Sequence, residues 1–106
     1  MPEPQPSRAR QPLGDFAPKM ASLTDDVVFG DIWERAELSP RDRSLITVAA
    51  LVATGSTEHL PGHLARAQAN GLTDSELKEA IAHLAFYAGW PKAMSAMAVA
   101  KREFDN

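Results

Sequence analysis

The sequence predicts an all-α fold, and three observations carry that expectation. No segment alternates apolar and polar residues between hairpin turns, so no strand is required. Apolar side chains recur at spacings of three and four through most of the chain. Capping residues stand where those runs begin and end. With 106 residues, 44% hydrophobic and 24% charged, the chain can bury one thin core. The expected architecture is a single-domain helical bundle with a central helical hairpin, in an oligomer.

Residues 1–15 carry Pro2, Pro4, Pro6 and Pro12 and little that could pack, which predicts a flexible arm. The domain is expected over 16–106. From Phe16, the residues Met20, Leu23, Val27 and Val28 fall on one face of a short helix that ends at Gly30. Ser39-Pro40-Arg41-Asp42 starts the next helix, with Ser39 as cap, Pro40 in the first helical position and Asp42 completing a capping-box variant. Its body, with Ile46, Val48, Leu51 and Val52, is apolar nearly all round, as for a central helix buried on several sides, and Thr54-Gly55 stops it.

Leu60, Leu64 and Ala67 mark a third helix that starts close to Pro61, because proline is tolerated only in a first turn, and closes at Asn70-Gly71. Thr73-Asp74-Ser75-Glu76 is a full capping box, followed by the stripe Leu77, Ala80, Ile81, Leu84, Ala85 and Ala88. Phe86 points to the opposite side at ~100° per residue, so this helix has two faces to cover. Gly89-Trp90-Pro91 breaks it, and Ala93, Met94, Met97, Ala98 and Val99 form a terminal helix that frays near Phe104. An all-round apolar helix and two-sided burial in a chain this small favour a homo-oligomer.

Composition removes several functions. Eleven Lys plus Arg against 14 Asp plus Glu, with no polybasic cluster, argues against nucleic acid. No cysteine is present, which excludes disulfides, thiolate metal sites and thiol redox cycles. No apolar run could span a bilayer and the proline-rich start offers no signal peptide, so a cytoplasmic location is expected. No glycine-rich phosphate loop or nucleophile elbow occurs.

The chemistry-bearing residues are few. His59 and His63 stand four apart, with His83 on the following helix; two imidazoles at that spacing can share a metal, but Pro61 intervenes and no carboxylate completes a zinc pattern, so no metal is expected. His63 lies beside the Leu60, Leu64, Ala67 stripe, at a core margin, where an imidazole can serve as acid, base or charge stabiliser, or make a structural hydrogen bond. Arg41 and Arg43 open the buried helix at the end its dipole does not favour for a cation. A substrate carboxylate could hold one of them, as could Asp42 or Glu58. Trp33, Tyr87 and Trp90 read first as packing or interface anchors.

Gly30-Asp31-Ile32-Trp33, Arg43-Ser44-Leu45-Ile46-Thr47, His63-Leu64 with Asn70-Gly71, and Tyr87-Ala88-Gly89-Trp90-Pro91 together resemble the carboxymuconolactone decarboxylase family, over about Phe16 to Phe104. The resemblance implies an alkylhydroperoxidase D-like helical fold assembled as a homotrimer or homohexamer. One branch of that family is a peroxidase using Cys-x-x-Cys with a histidine four residues later; here Ser56 and His59 stand at those two places before His63, so that chemistry cannot run. The other branch decarboxylates 4-carboxymuconolactone in aromatic catabolism without a cofactor. That implies a carboxylated small-molecule substrate, with Arg43 binding a carboxylate, His63 stabilising the oxyanion or delivering the proton, and Trp33, Tyr87, Trp90 and Glu58 contacting the substrate. A non-catalytic or unassigned small-molecule-binding oligomer is the alternative. Pro61-Gly62 and Trp90 depart from the family pattern.

Overall fold

The computed structural model describes residues 13–105. The expected arm lies mostly outside these residues. The contacts divide the chain into two units, one ending at Leu38 and one beginning at Ser39.

In the first unit, α1 (Pro18–Leu23) starts with proline in its first turn and runs directly into a π-helical stretch, Thr24–Phe29. One regular helix to Gly30 was the expectation, so the wider turn is a correction. Apolar spacing reports a face, and it cannot distinguish four from five residues per hydrogen-bonded ring over so short a run. Gly30 closes the stretch because the chain passes too near itself for a side chain: a Cβ there would stand 2.7 Å from the Asp25 carbonyl oxygen and 2.9 Å from that of Asp26. The predicted stripe does not form a core within this unit. Met20, Leu23, Val27 and Val28 are exposed and only Ala21 is buried. A 3-10 turn, Ile32–Glu34, follows, with Phe29 and Trp33 rings 5.8 Å apart.

The second unit consists of α2 (Pro40–Thr54), α3 (Leu60–Ala69), α4 (Asp74–Leu84) and α5 (Trp90–Phe104). Ser39 caps α2, its hydroxyl oxygen accepting from the Asp42 N–H at 3.1 Å. Gly55 ends it at φ 72°, with the Ser56 N–H returning to the Leu51 carbonyl and the Gly55 N–H to that of Val52. This double closure requires a left-handed residue, which glycine supplies without a Cβ penalty. The same pair of bonds closes α3 at Gly71 and sends Leu72 back into the core.

Thr73 and Glu76 form the reciprocal capping box of α4, at 3.1 and 3.0 Å. That helix ends at Leu84, one turn before the predicted Ala88, because the Phe86 and Tyr87 N–H groups bond three residues back and tighten the turn. Pro91 sits in the first turn of α5, which ends at Phe104 as expected.

Helix α2 packs against α3, α4 and α5, as a central helix should. The core is Val48, Val52, Leu60, Leu64, Ala67, Leu72, Leu77 and Ile81, facing Ala93, Ala96, Val99 and Ala100 of α5. The small α5 residues let its backbone approach closely. All-round burial of α2 fails at Ile46, which is 56% exposed. Among the described residues there is no strand, and no helix is long and apolar enough to cross a membrane.

Candidate active site

The α2–α3 hairpin positions the two residues to which sequence reasoning gave chemistry. On α2, Ser44, Val48 and Val52 form the buried seam at four-residue spacing. Arg43 stands one residue to the side of that seam and is half-buried, its Nε sealed from solvent. Its backbone is tied at both groups: the N–H donates to the Ser39 carbonyl at 3.0 Å and the carbonyl accepts from Thr47 Oγ1 at 2.7 Å.

On α3, His63 lies beside buried Leu60, Leu64 and Ala67, half-buried, with its Nδ1 likewise sealed. The core-margin position expected from the helical wheel is therefore the one observed. The hairpin is antiparallel, since Asn70 at the end of α3 bonds Ser44 near the start of α2 at 2.9 Å. His63 is seven residues before Asn70, ~10 Å back along α3. Arg43 and His63 thus sit at different levels of one hairpin.

Arg41 turns outward to a salt bridge with Glu76, and its second guanidinium nitrogen lies 3.5 Å from Asp42. Arg41 therefore links the first turns of α2 and α4. Glu76 titrates below the ordinary glutamate value, chiefly because its carboxylate accepts from the Thr73 N–H; the Arg41 charge adds to this, and partial desolvation opposes it.

Glu58 is exposed and borders an open groove with Pro61, Ser95, Val99 and Arg102, a lining that includes neither Arg43 nor His63. Tyr87 is 79% exposed and stacks on exposed His83 at 4.9 Å, while Trp90 is 59% exposed and meets Phe86 edge-on at 6.0 Å. In one chain these aromatics form a surface cluster. Trp33 belongs to the first unit.

His59 stands at the N-cap position of α3, exposed and without a side-chain cap bond, so His63 alone of the three histidines is half-buried. Among the described residues no group of three His, Asp or Glu side chains is placed to hold a metal ion. Sequence reasoning missed the pairings of Ser44 with Asn70 and of Arg41 with Glu76. Ser44 and its partner are 26 residues apart, and Asn70 was read only as a helix terminus.

Comparison with known proteins identifies the family of this chain. The model of the carboxymuconolactone decarboxylase family matches residues 18–102. A 4-carboxymuconolactone decarboxylase of Acinetobacter baylyi is 36% identical over 100 residues, covering 94% of this chain and 75% of that protein. The nitrosuccinic acid decarboxylase npaB of Metarhizium robertsii is 31% identical over 84 residues, covering 79% of this chain and 59% of that protein.

Proposed function

This chain belongs to the carboxymuconolactone decarboxylase family, and from that premise we propose that it is a cofactor-free carboxy-lyase of the cytoplasm, acting on 4-carboxymuconolactone or a related lactone acid. The observation that carries the proposal is the 36% identity, over nearly the whole chain, to a 4-carboxymuconolactone decarboxylase.

The chemistry asks little of the protein. The departing carboxylate is conjugatively connected to the lactone carbonyl. When the carbon–carboxylate bond breaks, its electron pair flows through the ring to that carbonyl oxygen, giving a furanolate and carbon dioxide. Protonation at carbon then returns the carbonyl and leaves the enol-lactone. The substrate is its own electron sink. The enzyme must hold the carboxylates, stabilise the developing oxyanion, supply one proton and exclude water.

In this mechanism Arg43 pairs with a carboxylate, for which a guanidinium offers two parallel donors. His63 stabilises the oxyanion or delivers the proton. Nitrosuccinic acid, named for the second relative, also carries an electron-accepting group near a carboxylate, which favours a substrate class defined by that pairing. Tyr87 and Trp90 act as substrate walls only if a neighbouring subunit closes over them. We accordingly include a homotrimer or homohexamer in the proposal, supported by exposed Ile46, Phe86, Tyr87, Trp90 and Met94.

Incubating the purified protein with 4-carboxymuconolactone, and following carbon dioxide and enol-lactone against a no-enzyme control, tests the activity. Products above control are expected. An assembled, folded protein that releases none rejects this substrate.

A further inference from the structure

Ser44 is the only polar side chain among the described residues that is fully buried, at 0% exposure. A hydroxyl in an apolar seam is costly unless bonded, and an alanine would continue the surface of Val48 and Val52 without that cost. Its partner is Asn70, the capping residue of α3, whose Nδ2 donates to Ser44 Oγ at 2.9 Å and lies 3.4 Å from the Pro40 carbonyl oxygen. One amide therefore joins the end of α3 to the first two turns of α2.

The rest of the hairpin seam, Val48 and Val52 against Leu60, Leu64 and Ala67, is apolar. Hydrophobic contact is non-directional, so such a seam resists separation better than sliding. A hydrogen bond with narrow distance and angle limits resists sliding. Arg43 is the chain neighbour of Ser44, and His63 lies two turns before Asn70, so any slip between the helices changes the separation of these two groups directly.

We propose that the Ser44–Asn70 hydrogen bond is a positioning element, fixing the register of α2 against α3 and with it the distance from Arg43 to His63. The proposal rests on the reading of Arg43 and His63 as the carboxylate-binding and proton-handling pair. Neither Ser44 nor Asn70 needs to touch substrate. Misplacement of reacting groups by about an ångström is enough to lower turnover by one to two orders of magnitude.

The test uses Ser44→Ala, Asn70→Ala and the double variant in the whole 106-residue chain, each verified as folded by circular dichroism. Two quantities are followed: kcat and KM on 4-carboxymuconolactone, and the pH titration of the His63 imidazole by NMR. Each single variant is expected to lose about tenfold in kcat with KM changed less than about twofold, and the double to lose little more, because either change breaks the same bond. The midpoint of the His63 titration is expected to move the same way in all three.

Lower stability with kcat and the His63 titration both unchanged overturns the proposal and leaves the pair merely structural. Independent, additive losses in kcat also overturn it. If the wild-type protein does not turn over the lactone, it is the functional reading that fails, and the His63 titration alone then decides the positioning role.

Discussion

The α2–α3 hairpin and the Pro18–Phe29 segment start from the same kind of sequence and reach opposite ends. Both space apolar side chains at three and four. In the hairpin, Val48, Val52, Leu60 and Leu64 are at or below 1% exposure, whereas Met20, Leu23, Val27 and Val28 lie between 40% and 60%. The hairpin has a facing helix for its stripe and two glycine-closed ends that direct the chain back onto it. The earlier segment has neither within its own unit. Periodicity thus specifies a face, and topology decides whether the same chain covers it.

The sharpest way to break that contrast is to truncate one residue on each side of it. Leu64→Ala is expected to destabilise by about 2–5 kcal/mol, because it removes buried methyl groups and leaves a cavity in a seam that cannot collapse freely. Val27→Ala should cost under about 1 kcal/mol in a dissociated chain, since little area leaves water there. Urea unfolding of both variants checks this. Equal losses would mean that the stripe of the first unit is covered as completely as the hairpin.

A smaller effect is expected at the exposed aromatic corner. Trp90→Ser should weaken subunit association while changing the stability of the isolated chain by less than about 1 kcal/mol, because the indole is largely in solvent within one chain. Sedimentation across a concentration series measures it. An unchanged assembly would remove the corner from any interface.

Next comes Thr73→Ala, which removes the cap of α4 at a cost of about 1 kcal/mol, read as a shift in the unfolding midpoint at unchanged slope. The smallest effect is that of pH at Glu76. Its folded-state value is lowered, so the unfolded chain binds more protons in the acid range. The stabilisation is fully present above the ordinary glutamate value and is lost as pH falls through the lowered one. Glu76→Gln should flatten that part of the acid limb of a stability-versus-pH curve. A limb of unchanged slope would assign it to other carboxylates.

What the sequence made legible is what its local chemistry determines. The Ser39 and Thr73 caps, the Gly55 and Gly71 closures and the proline starts are settled by bonds within five residues, and each was readable. The π-helical stretch was not, since the same apolar spacing suits either winding over six residues. Nor was the early end of α4, where the apolar stripe continues past the point at which the backbone tightens. His63 could be placed at a core margin from a helical wheel, because its own stripe defines the core. Arg41 could not be assigned to Glu76, 35 residues away, nor Ser44 to Asn70, because both pairs depend on how the helices register in space. Tyr87 and Trp90 are surface groups in one chain, which their residue types alone did not show.

His63, at the margin of the hairpin core, is the residue proposed to carry the proton or oxyanion step. The most direct measurement compares decarboxylation of 4-carboxymuconolactone by the wild-type protein and by His63→Ala, at matched assembly, with and without added imidazole. Loss of about 100-fold or more in kcat, partly restored by free imidazole, is the predicted result for a general acid or charge stabiliser. A His63→Ala protein that folds, assembles and turns over at the wild-type rate would contradict the account.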